Sequence, residues 1–166
     1  MPVLIGIPIL VLAVMLQSAI LSQITLLLAS ADLVLVVVVS WMIHERVKAV
    51  WEWALMAGIL VGFVSEVPMW AIVLGYLMIA AIGITLKRRV WRAPLLALFT
   101  AVFIGTWVIQ GLTFILLRVL GTPIDPLQTF NLIMLPSLLL NLLLAIPVQG
   151  LINEVAAWFY PDEMEG

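Results

Sequence analysis

Long apolar runs without a charged side chain recur through this chain, and a run of that kind restricts a fold more than any short motif does. Residues 94–117, PLLALFTAVFIGTWVIQGLTFILL, are one example. Crossing the roughly 30 Å hydrocarbon core of a bilayer takes about 20 such residues in a helix. The runs are continuous rather than alternating, which favours helices over the strands of a membrane barrel. Of 166 residues, 66% are hydrophobic and 10% charged, at a mean hydropathy of +1.31. Soluble domains carry about 25% charged residues, and a soluble fold of this size could not hide so much apolar surface.

Six spans are expected, near residues 3–21, 26–43, 50–64, 69–86, 94–117 and 127–148, giving an all-α polytopic membrane protein. The first run lacks the basic flank and small-residue cleavage site of a signal peptide, so it reads as a retained helix. The chain divides into a transmembrane domain over 1–149 and a short tail over 150–166. In that tail Leu151, Ile152, Val155, Trp158 and Phe159 recur at helical spacing before an acidic end. A short surface helix or an extension of the last span would both fit.

Six of the seven Lys and Arg residues fall in two connections, Arg46 and Lys48 in one and Lys87, Arg88, Arg89 and Arg92 in the other. Two spans separate them, so they share a side. The positive-inside rule makes that side the cytoplasm and places both termini there. Trp41, Trp51, Trp53, Trp91 and Trp158 fall near the expected inner boundary and Trp70 near the outer one, as an aromatic belt requires, while Trp107 falls deep. The WMIHERVKAVWEW segment reads as an interfacial loop.

Polar residues within apolar helices are expensive and mark structure or function. Asp32, after Ser30 and Ala31, is placed to cap the second helix. Gly58, Gly62 and Glu66 are spaced by four and share a face of the third, where the glycines allow close helix approach. Glu66 either ends that packing stripe or sits at the wet boundary before Pro68. Arg118, at the end of the fifth span, either pairs with Asp32 or Glu66 and so fixes the outer face, or stands exposed on the surface without a contact. Gln17, Gln110 and Asn141 can hydrogen-bond between helices. Ser137 and Asn141 share a face just beyond Pro136, where a bend is expected.

Catalytic and metal motifs are missing: the chain has no Cys, a single His44 and no H-E-x-x-H, G-x-S-x-G or phosphate-cradling loop. A net charge of −2 gives no footprint for nucleic acid. The reading is of a protein that is not an enzyme and carries no cofactor.

Several short motifs fall in a consistent order: Leu16-Gln17-Ser18, Ala31-Asp32, Gly58-x-x-x-Gly62-Phe63 with Glu66, Leu74-Gly75-Tyr76, the basic turn, and Leu135-Pro136-Ser137 with Asn141. In that order and spacing the chain resembles the rod shape-determining protein MreD family over nearly its whole length. It departs from the family in having Ala31-Asp32 for a common Pro-Asp, and Glu66 for a frequent Asp. The resemblance implies a non-enzymatic scaffold in the bacterial inner membrane. Such a scaffold binds MreC and acts with MreB, RodA and the transpeptidase partnering RodA in lateral peptidoglycan synthesis. It also implies the six-helix fold of the substrate-binding components of energy-coupling-factor vitamin transporters. A substrate-binding transporter subunit is therefore the alternative, although the outward connections here are short and mostly apolar.

Overall fold

The central element is a helix that water would not support. α2, Leu33–Ile43, has the sequence LVLVVVVSWMI, and its β-branched valines lose rotamer freedom against the helix backbone. Every residue from Val34 to Ile43 is buried, the pattern of a helix surrounded on all sides. Around it stand α1 (Pro2–Leu16, continued by a π-helical turn over Gln17–Leu21), α3 (Val50–Val64), α4 (Met69–Arg89), α5 (Pro94–Val119) and α7 (Leu135–Phe159). The short α6 (Pro126–Thr129) and a π-helical turn over Phe130–Met134 lead into α7. This computed structural model describes residues 2–21, 23, 25–26, 29–44, 47–89 and 93–159.

Among the described residues three helices are long and apolar enough to cross a membrane: Met69–Arg89, Pro94–Val119 and the continuous Pro126–Phe159. Gly6–Ala19, Leu33–Ile43 and Val50–Val64 are apolar but shorter. The molecule is a helical membrane protein. Large apolar side chains such as Leu96, Phe103, Trp70, Leu143 and Ile146 cover its outside, as contact with lipid rather than water requires.

The expected second span, 26–43, is corrected. Its first part is a two-stranded antiparallel ladder, with β1 (Thr25–Leu26) paired to β2 (Ala29–Ser30) in the register Thr25↔Ser30 and Leu26↔Ala29. Ser30 and Asp32 favour a cap over a helix interior, so the helix opens only at Leu33. At 11 residues it is about 16 Å long, roughly half a hydrocarbon core.

α3 and α4 form a tight antiparallel hairpin. A Cβ added at Gly58 would stand 2.8 Å from the Val73 Cα, and one at Gly62 would stand 2.8 Å from the Met69 Cγ. The glycine stripe is therefore consumed inside the bundle. In the connecting turn the Val67 N–H donates to the Ser65 hydroxyl at 3.2 Å, and Glu66 is exposed. α5 ends on Gly121 at φ 87°. The Gly121 and Thr122 N–H groups close back on the Arg118 and Leu117 carbonyls at 3.2 and 3.0 Å, a glycine-dependent helix stop.

At the opposite end of the bundle the Lys87 ammonium donates to the carbonyls of His44 and Val47, at 2.6 and 3.1 Å. The two basic connections thus touch, as expected for loops on one side. Gly6 packs on Trp53, which brings the start of α1 to the same end. Two expected belt residues are corrected. Trp41 and Trp53 are buried and stacked on each other, with centroids 4.4 Å apart, because they lie on the inward faces of α2 and α3. They belong to helices, not to an interfacial loop. Trp51, Trp70 and Trp158 are exposed. Arg46, Trp91 and Arg92 lie outside the described residues. Residues 150–159 continue α7 without a break.

Gly58→Leu forces α3 and α4 apart and should destabilise the protein by about 1–3 kcal/mol, read as a lower Tm in neutral detergent. Gly150→Ala, where nothing lies within 4 Å of an added Cβ, should leave Tm unchanged or raised.

Candidate functional site

A helix that begins inside a bundle exposes backbone N–H groups with no intrahelical partner, and without water each must find one in the protein. At the head of α2 three are supplied by side chains. The Leu35 N–H donates to the Asp32 carboxylate at 3.0 Å, the expected cap. The Val34 N–H donates to the Gln17 carbonyl oxygen at 3.1 Å, from the π-helical turn after α1. The Asp32 N–H donates to Asn141 Oδ1 at 2.7 Å, from α7.

Asn141 is fully buried and uses both ends of its amide. Its Nδ2 donates to Thr106 Oγ1 on α5 at 3.0 Å, and the Thr106 hydroxyl donates to the Val102 carbonyl at 2.8 Å. One turn away, Gln110 Nε2 donates to the buried Ser137 hydroxyl at 3.3 Å. Residues four apart on α5 thus meet residues four apart on α7, an antiparallel polar zipper linked to the head of α2.

Thr106 sits near the middle of α5, so Asp32 lies level with the bundle's centre and not at its outer end. That depth explains why the expected ion pair is not formed. Arg118 is about 18 Å further along α5, exposed, with its guanidinium 6.0 Å from the Phe114 ring. It pairs with neither Asp32 nor Glu66. Pro136 is buried, and the loss of its N–H is absorbed by the preceding π-helical turn, where the Leu135 N–H reaches back to the Phe130 carbonyl. Ser137 and Asn141 are therefore free to serve α5 and α2 instead of the loosened backbone.

The sequence reading missed Thr106 and Ser40, and named Tyr76 only within a motif, with no role of its own. Thr106 had a usable signal, its spacing of four from Gln110, which mirrors Ser137 and Asn141. Tyr76 is fully buried on α4 with an unpartnered hydroxyl, within electrostatic range of the Asp32 carboxylate. Ser40 is buried and unpartnered further along α2. Among the described residues no group of three or more His, Asp or Glu side chains converges. The node organises backbone, since each of its three side chains satisfies an N–H group at the head of α2.

No family model, curated protein or solved structure matches this chain.

Asn141→Leu orphans the Asp32 N–H and should cost about 1–3 kcal/mol. Ser137→Ala breaks one interhelical bond and should cost about 0.6 kcal/mol. Thermal unfolding of both variants in the same detergent checks the order. Tyr76→Phe removes a hydroxyl that has no partner, so its Tm should equal or exceed that of the parent; a clear drop would reveal a bond made by Tyr76 in the membrane.

Proposed function

We propose that the chain is an MreD-type scaffold: a non-enzymatic, six-crossing protein of the bacterial inner membrane with both termini inside. It binds MreC, and with MreB, RodA and the transpeptidase partnering RodA it supports rod shape and lateral peptidoglycan synthesis. One observation carries the reading. Gln17, Asp32 and Asn141 come from three separate motifs on which the resemblance rests, and all three satisfy N–H groups at the head of α2. Sequence order alone does not require distant polar residues to meet, so their convergence favours a shared architecture over a chance likeness of apolar segments.

Six crossings follow if the short elements are completed. α1 with its π-helical turn is about 30 Å long, and the β1–β2 ladder extends α2. Irregular backbone at that depth is tolerated because it is packed against α7. The inward orientation is favoured by the basic connections joined through Lys87. Because Gly58 and Gly62 face α4, the surface that meets MreC lies on another helix face, where van der Waals packing supplies the affinity.

Co-purification from bacterial membranes tests the function. A tagged MreC homologue should capture the chain, and Asn141→Leu should lower capture in step with the loss of folded protein. If folded chain is not captured, or if an ATPase-linked transporter module co-purifies with it instead, the scaffold reading is wrong.

A further inference from the structure

An open groove of about 320 Å³ runs between α4 and α5, lined by Ala81, Ile82, Thr85, Leu86 and Ile104, with Arg89 at one end. Its walls are apolar in effect, since the Thr85 hydroxyl is spent on the Ala81 carbonyl at 2.8 Å. Ala81 and Arg89 are two helical turns apart, about 12 Å, close to the depth of one leaflet, about 15 Å as half of the roughly 30 Å core. Arg89 is exposed at the basic end of α4 and makes no hydrogen bond or ion pair among the described residues. Lys87, two residues earlier, is committed to backbone carbonyls.

A second groove of about 320 Å³, between α5 and α7, is lined by Phe99, Thr100, Phe103 and Leu142 and carries no charged residue among the described residues. The two grooves match in size and differ in the cation.

We propose that the α4–α5 groove binds one anionic phospholipid, its acyl chain along Ile82, Leu86 and Ile104 and its phosphate against the Arg89 guanidinium. The planar guanidinium fits two phosphate oxygens at once, and a basic residue at the mouth of a cleft between transmembrane helices attracts a negatively charged headgroup. A zwitterionic lipid offers Arg89 the same phosphate but carries a compensating cation beside the basic end of α4, so the site discriminates by net headgroup charge. The ordinary lipid boundary does not.

The full chain is reconstituted in phosphatidylcholine vesicles containing a minor share of phosphatidylglycerol with a diazirine in its acyl chain. A parallel preparation carries the same share of diazirine-labelled phosphatidylcholine, and photolabelled peptides are mapped by mass spectrometry. The expected result is several-fold more label in the α4–α5 groove from phosphatidylglycerol than from phosphatidylcholine, with no such excess in the α5–α7 groove. Arg89→Gln should erase the excess, while Arg89→Lys retains part of it and Arg118→Gln retains all of it. Ile104→Trp, which fills the groove, should lower its label from both lipids while the α5–α7 groove labels as before. Equal labelling by the two lipids in the parent chain overturns the proposal, as does an excess that survives in a folded Arg89→Gln variant. A disulfide dimer formed efficiently by Ile82→Cys, in a chain with no other Cys, also overturns it by assigning the groove to a second copy.

Discussion

Backbone amides that start a helix in the middle of an apolar bundle have nowhere to turn but to the protein itself. α2 begins at that level, and much of the molecule is arranged to meet the demand. α1 contributes Gln17, α7 contributes Asn141, and the residue before the helix contributes its own carboxylate. Unpaired, a single such group would cost several times the typical gain of one interhelical hydrogen bond. The node therefore fixes the position of α2 mainly by the penalty of misplacing it, and the polar zipper between α5 and α7 is held in the same register.

Helix association elsewhere is achieved by different means. α3 and α4 approach through glycines opposite Val73 and Met69, gaining dispersion contacts that need no polar group. At the basic end, Lys87 satisfies carbonyls where the chain leaves α2, and the stacked Trp41 and Trp53 fill the space between α2 and α3. The bundle is polar at one level and close-packed above and below it. That division gathers the interhelical hydrogen bonds at one level, with the buried Ser40 and Tyr76 hydroxyls left unpartnered.

The helical class and a close helix approach at Gly58 and Gly62 were legible because apolar run length and glycine spacing are direct physical signals; that the approaching helix is α4 was not. Asp32 as a cap was legible for the same reason. The start of the second helix was not, since Leu26 and the aliphatic residues after it are as apolar as the helix proper, and apolarity alone does not distinguish paired strands from helix. Trp41 and Trp53 were misplaced because a tryptophan near a helix end satisfies both a belt and a core description, and only the direction of its face decides. Whether Arg118 has a partner was not legible, because counting helix ends does not reveal that α2, at 11 residues against 26 in α5, opens at mid-depth. Thr106 was hidden because a threonine in an apolar helix bonds its own backbone by default; only its register against Asn141 gives it a role.

The π-helical turn over Phe130–Met134 changes how α7 is to be compared with anything else. A turn of that kind carries an extra residue, and one residue of helix corresponds to a rotation of about 100°. A wheel drawn unbroken from Pro126 would rotate Asn141 away from α2 and α5, and an alignment without a gap would set it opposite a neighbour of its true counterpart. A homologue lacking one residue between 130 and 134 could present the same amide to the same backbone group. Position number and spatial equivalence therefore separate at this point in the chain.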